Sequence, residues 1–317
     1  MWAAPSPSPP SSKPAKCGCR FDWSGATSEA DCAQSPCTEI EENNMNSSLN
    51  PTRRRVLFAL GALPLAARAL AAPQKPAEIG MLEAINQAGR QRMLSQRMAK
   101  LYAQQLRGVR EADARGLLAD SMALFDKQLQ TLREFAARKN APELIQTYEQ
   151  LATRWLDYRR VVGTPASNDG LKSVAALNEQ VLALANQGTL QLEALHGGSL
   201  GKLVNIAGRQ RMLSQRMSKF YFFSVTGVNT PEVSKGLDAA RKEFVAAMQT
   251  LKMAPENTKD TESWIKLAET QWMFFDDALR GNAKQHEQAY LENNVAVSSE
   301  NILQVMDKLT GLYATLS

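Results

Sequence analysis

The chain has 317 residues, 44% of them hydrophobic and 22% charged, with a net charge of +5; this excludes a wholly disordered or fibrous protein and fits one large or two small globular domains. Aromatics at 7%, twelve methionines and only two histidines favour helix over an all-β fold and leave little for a histidine-ligated metal site. All four cysteines (Cys17, Cys19, Cys32 and Cys37) precede residue 38, so the rest of the chain has no thiol for a disulfide, a nucleophile or a thiolate metal site.

Residues 1–44 are rich in Pro, Ser and Ala and lack helical or strand periodicity, so no fold is expected there. After Met45 come three arginines (Arg53, Arg54, Arg55), an apolar run from Val56 to Ala67, and Ala69-Leu70-Ala71 as a small-x-small cleavage site. The run is about a dozen residues, short of the ~20 of a membrane helix. Residues 45–71 therefore read as an export signal cleaved near Ala71. Thr52-Arg53-Arg54-Arg55-Val56-Leu57 approaches the twin-arginine pattern, with the general secretory route as the alternative. Such a signal opens a chain, so Met45 is the expected start, residues 1–44 an over-extended leader, and the mature product a periplasmic protein without a membrane span. Without the seven basic and six acidic residues of positions 1–71, it carries 30 basic and 26 acidic residues, a net +4. That mild charge argues against nucleic acid as a partner.

The mature chain is written twice. Gly89–Met98 and Gly208–Met217 both read GRQRMLSQRM, an offset of 119 residues at which Asn86/Asn205, Ala88/Ala207, Lys100/Lys219 and Tyr102/Tyr221 also match. Ten consecutive identities of mixed composition are a duplication. The register continues through Phe125/Phe244, and Trp155 and Trp272 correspond after a small change in length.

Each copy predicts four helices. Apolar positions recur at helical spacing over Ile79–Val109, Ala112–Arg138, Pro142–Val161 and Leu171–Leu195, then over Leu200–Thr226, Pro231–Met253, Thr261–Leu279 and Ala289–Leu316. Asn140-Ala141-Pro142, Gly163-Thr164-Pro165, Pro231, Pro255 and Gly281 supply the breaks. The predicted fold is all-α, two tandem up-down four-helix bundles over 72–196 and 197–317. Because His196-Gly197-Gly198 and Gly201 oppose a continuous helix at the junction, the bundles are expected side by side with pseudo-twofold symmetry, their first helices starting at one end.

In heptads, one face of the first helix carries Leu82, Ile85, Gly89, Arg92, Gln96, Ala99, Ala103 and Leu106; its duplicate carries Gly201, Val204, Gly208, Arg211, Gln215, Ser218, Phe222 and Val225. An unpaired guanidinium in such a seam is costly. If the seams face each other, Gly89 and Gly208 allow close approach and Arg92 and Arg211 converge. Two such charges ~7 Å apart repel by about 2.4 kcal/mol at an effective dielectric of 20, while a monovalent anion ~4 Å from both gains about 4 kcal/mol from each. Guanidinium forks suit an oxyanion, and Gln96 and Gln215 could add neutral donors. The alternative is that the arginines reach carboxylates of their own bundle, or water. Arg90, Arg97, Arg209 and Arg216 lie off the seam and are expected to be solvated or paired on the helix surface. Met93, Leu94, Met98, Leu101, Trp155 and Trp272 are expected in the core.

The stretch Asn-x-Ala-Gly-Arg-Gln-Arg-Met-Leu-Ser-Gln-Arg-Met, at 86–98 and 205–217, closely resembles the signature of the PilJ-type sensor domain of type IV pili methyl-accepting chemotaxis transducers. It is also similar to the P-box of the NarX/NarQ nitrate and nitrite sensor kinases. The resemblance implies a four-helix bundle whose paired first helices hold one nitrate between arginines of a Gly-x-x-Arg-Met-x-Ser pattern. That pattern falls here on Gly89, Arg92 and Ser95, and on Gly208, Arg211 and Ser214. No kinase or methyl-accepting region is recognisable in the 317 residues, so the expectation is an exported sensor-type module that binds nitrate or nitrite between its repeats and signals through a partner, a membrane sensor or transporter. The rival expectation is a structural or protein-interaction module without a small-molecule ligand. No paired acid and histidine, nucleophile arrangement, metal set or cofactor motif argues for an enzyme.

Overall fold

A computed structural model describes residues 78–228, 230–281 and 287–316. The leader, the export signal and the four cysteines lie outside the described residues. Eight helices follow one another: α1 (Met81–Leu106), α2 (Glu111–Arg138), α3 (Pro142–Val162), α4 (Asn168–His196), α5 (Ser199–Val225), α6 (Pro231–Lys252), α7 (Lys259–Arg280) and α8 (Gln288–Thr315). No strand occurs among the described residues.

Local chemistry sets the helix ends. The Ser167 side chain accepts from the Gly170 N–H at 3.1 Å, so α4 begins three residues before the predicted Leu171. A reciprocal capping box between Thr258 and Thr261 likewise moves the start of α7 forward to Lys259. Pro142 and Pro231 occupy first turns, where the missing N–H costs nothing. Gly197, at φ +68°, ends α4 in the left-handed conformation, its N–H donating to Glu193 O, and α5 starts two residues later.

Each set of four helices closes into an antiparallel bundle. In the first, α1 packs on α2 and α4, and α3 on α4 and α2; in the second, α5 packs on α6 and α8, and α7 on α8 and α6. The cores repeat as well as the topology. Trp155 stacks on Phe125 at 4.1 Å with Tyr158 edge-on, and Trp272 stacks on Phe244 at 4.5 Å with Phe275 edge-on. Trp155 is buried, and its Nε1 donates to Asp126; Trp272 is partly buried against the core.

The most extensive helix pairing joins the bundles, α1 against α5. Ion pairs Arg90–Asp307, Arg97–Glu300 and Arg107–Glu292 run α8 antiparallel to α1. Gln215 to Ser299 and Arg211 to Asp307 run α8 antiparallel to α5 as well. Helices α1 and α5 therefore run in the same direction, side by side, each buried nearly all round between its own bundle and its neighbour.

Candidate functional site

The site grows from the crossing of α1 and α5. A Cβ built on Gly89 would stand 3.7 Å from the Gly208 Cα, and one built on Gly208 would stand 3.8 Å from the Gly89 Cα. Backbone approach this close tolerates little side-chain bulk. One turn onward, Arg92 and Arg211 fold back over the crossing, because helical side chains lean towards the N-terminus. Both Nη2 atoms lie 3.3 Å from the Cβ position of Gly89. Both arginines are fully buried.

Each guanidinium reaches across to the other bundle. Arg92 Nη2 donates to Asn205 Oδ1 at 2.6 Å and to Asn205 O at 3.3 Å; Arg211 Nη2 donates to Asn86 O at 3.0 Å. Each also reaches the last helix of its own bundle, but to different groups: Arg92 Nη1 donates to the Asn186 amide oxygen at 3.0 Å, and Arg211 Nη1 to the Asp307 carboxylate at 2.5 Å. In both arginines the buried Nε lacks a hydrogen-bond partner.

Burial, reinforced by the neighbouring Arg209 and Arg211, pushes Arg92 down to about 9. Burial pushes Arg211 down to about 10, with the Asp307 carboxylate opposing the fall. Both stay charged at neutral pH. The flanking arginines are paired, and mostly between bundles rather than on one helix surface: Arg90 with Asp307, Arg97 with Glu300, and Arg216 with Glu179. Arg209 pairs within its bundle with Glu243 and also reaches Asn186.

The predicted site residues are only partly brought together. Gly89, Gly208, Arg92 and Arg211 converge. The Ser95 and Ser214 hydroxyls donate to the Arg92 and Arg211 carbonyls of their own helices. Gln96 and Gln215 do not offer donors to the arginine pair: Gln96 Nε2 donates to Asn178 Oδ1 and Gln215 Nε2 to Ser299 O, one turn further on.

That further turn is a second buried polar layer, built on Lys100 and Lys219, which lie off the seam that carries the arginines. Lys219 Nζ donates to Gln96 Oε1 at 2.7 Å, Asn178 Oδ1 at 3.0 Å and Glu179 at 2.5 Å. Lys100 Nζ meets Glu300 at 2.5 Å and Ser299 at 3.2 Å. Burial lowers Lys219 to about 8 against the pull of Glu179. Burial alone would raise Glu300; Lys100 and Arg97 hold it at about 2. Identity of Lys100 with Lys219, and of Asn86 with Asn205, was the available signal. Their carboxylate partners correspond as well, Glu179 on α4 with Glu300 on α8 at an offset of 121, while the neighbouring Asn178 and Ser299 differ.

Among the described residues no group of three or more His, Cys, Asp or Glu side chains is placed to hold a metal, and no helix is long and apolar enough to cross a membrane. A protein-family model, PilJ, described as type IV pili methyl-accepting chemotaxis transducer N-term, matches residues 80–187 and again 198–273. No curated protein and no solved structure matches the chain.

Proposed function

The chain belongs to the PilJ family of type IV pili methyl-accepting chemotaxis transducer N-terminal domains, in two tandem copies, and from that premise we propose that this sensory module binds a small oxyanion, nitrate or nitrite first, between Arg92 and Arg211. The observation that carries the reading is the burial of two guanidinium groups at one close helix crossing, each with an unpaired Nε and only one of them on a carboxylate. An anion ~4 Å from a guanidinium gains about 4 kcal/mol at an effective dielectric of 20, more than the arginines' mutual repulsion. In this reading one chain supplies both halves of a site that a pair of chains would otherwise build. The module is exported, and its bound state is read by a partner, a membrane sensor or transporter. Ligand binding acts on the α1–α5 crossing, because the guanidinium groups that hold the anion also hold the two bundles together.

Thermal unfolding with nitrate, nitrite, sulfate and chloride tests the reading. A ligand at 100 times its Kd adds about 2.7 kcal/mol, roughly 5–10 °C for a domain of this size. The expected result is an anion-specific rise that disappears in Arg92→Ala. A wild-type protein indifferent to all four beyond an ionic-strength effect refutes it. The Arg211–Asp307 pair favours a second reading, a packing or interaction module whose arginines are satisfied internally; there, substitution changes stability with no ligand dependence.

A further inference from the structure

The two halves of the crossing follow the same residue pattern but differ in chemistry. Asn186 on α4 accepts from Arg92 of its own bundle at 3.0 Å and from Arg209 of the other at 3.3 Å. Asp307 on α8 accepts from Arg211 of its own bundle at 2.5 Å and from Arg90 of the other at 2.8 Å. One place in the pseudo-symmetric pattern thus holds a neutral amide and its twin a carboxylate of nearly the same shape.

We infer that this Asn186/Asp307 difference makes the site lopsided: Asp307 acts as a built-in anion on Arg211, Arg92 is the dominant ligand-binding arginine, and the pair together selects a monovalent oxyanion over a divalent one. The inference rests on the anion-binding reading and specifies its charge and geometry. Of the two fully buried guanidinium groups, only Arg211 meets a carboxylate; the direct partners of Arg92 are an amide oxygen, a backbone carbonyl and a second amide oxygen. Arg92 is offset only through space, by Glu193 and Glu243, so a single negative charge placed beside it is favoured. A second would stand close to Asp307 and be repelled. The Asp307 side chain is 42% exposed, so it remains hydrated and tunes the site without sealing it.

Isosteric exchange tests the inference in the full chain, with nitrate and sulfate titrated by calorimetry. Asp307→Asn should tighten nitrate on the order of tenfold, and sulfate by more, because a repelling charge is removed near the anion. Asn186→Asp should weaken nitrate by a similar factor, since Arg92 then has its own carboxylate. In the wild type, Arg92→Ala should cost more nitrate affinity than Arg211→Ala. Combining Asn186→Asp with Asp307→Asn keeps one carboxylate and should restore near wild-type affinity while reversing that order. This exchange decides the matter even if a single variant fails to fold.

Wild-type nitrate binding left unchanged by both single variants, or equal losses from the two arginines, overturns the inference and leaves the anion site standing. A wild type that binds neither anion overturns both.

Discussion

Arg92→Met offers the sharpest test of the site's electrostatics, because it should stabilise the protein while abolishing its ligand response. Burial pushes the Arg92 guanidinium from its ordinary value down to about 9. At 1.36 kcal/mol per unit, the charged form is disfavoured by about 4–5 kcal/mol in the folded state. Methionine fills a similar volume without the charge. Removing the arginine leaves the Asn186 and Asn205 oxygens without its donors, which costs about 1–3 kcal/mol. The balance is a gain of roughly 1–4 kcal/mol, the range found when buried charges give way to apolar residues. Arg211→Met differs because the charge is less disfavoured, at about 10, and its loss strips a charge-assisted bond from Asp307 worth about 1.5–3 kcal/mol. Its net effect should be near zero. Urea unfolding at pH 7, in zwitterionic buffer without added salt, reads both, provided the slope m is unchanged. An Arg92→Met variant destabilised by more than about 2 kcal/mol, or no more stable than Arg211→Met, would refute the claim that Arg92 is the less compensated charge.

Stability should rise with alkaline pH. Lys219, at about 8 against 10.5 unfolded, and Arg92, at about 9 and well below the ordinary guanidinium value, are both lowered by burial. The folded state therefore binds fewer protons above about pH 8, and stability climbs from there towards pH 10. Urea midpoints from pH 7 to 10 should show this slope, and Lys219→Met should flatten it; a flat wild-type profile excludes the burial penalty. The glycines give a steric contrast. Gly116→Ala on α2, whose new Cβ meets nothing within 4 Å, should stabilise by about 0.5–1 kcal/mol. Gly89→Ala and Gly208→Ala bring a Cβ to 3.3 and 3.1 Å from buried guanidinium nitrogens, and should forfeit that gain and lose about 1–3 kcal/mol besides. Equal thermal midpoints for all three would sink the close-crossing role.

The fold was legible because its determinants are local or repeated. Helix periodicity, Pro142 and Pro231 at first turns, and Gly197 after His196 placed eight helices within a few residues of their observed ends. Caps account for the earlier starts of α4, through Ser167, and of α7, through Thr258 with Thr261, while α1 ends at Leu106, three residues before the expected Val109. Arg92, Arg211, Gly89 and Gly208 could be read because they sit on a seam where leucine would be usual. Gln96 and Gln215 share that seam, yet their amides turn to α4 and α8, a choice set by Asn178 and Ser299 on distant helices. Lys100 and Lys219 were visible as identities but not as buried groups. Their burial depends on Glu300 and Glu179, carboxylates some 200 and 40 residues away along the chain, and such pairing has no local signature.

Duplication within one chain has a chemical consequence that a symmetric pair of chains cannot reproduce. In a twofold homodimer the residue facing each arginine is the same on both sides by symmetry, so a carboxylate there compensates both guanidinium groups and an amide compensates neither. The first choice removes the driving force for an anion; the second leaves two buried charges for one ligand. A tandem chain can hold Asn186 on one side and Asp307 on the other, which leaves one guanidinium without a direct carboxylate partner for one monovalent anion. The α1–α5 crossing stays nearly symmetric where backbone approach demands it, at Gly89 and Gly208, and departs from symmetry at the half-exposed rim, where a single amide-to-acid change alters charge with almost no change in shape. The two copies are therefore expected to contribute unequally to any ligand response, and this inequality separates a tandem sensor from a homodimer of the same fold.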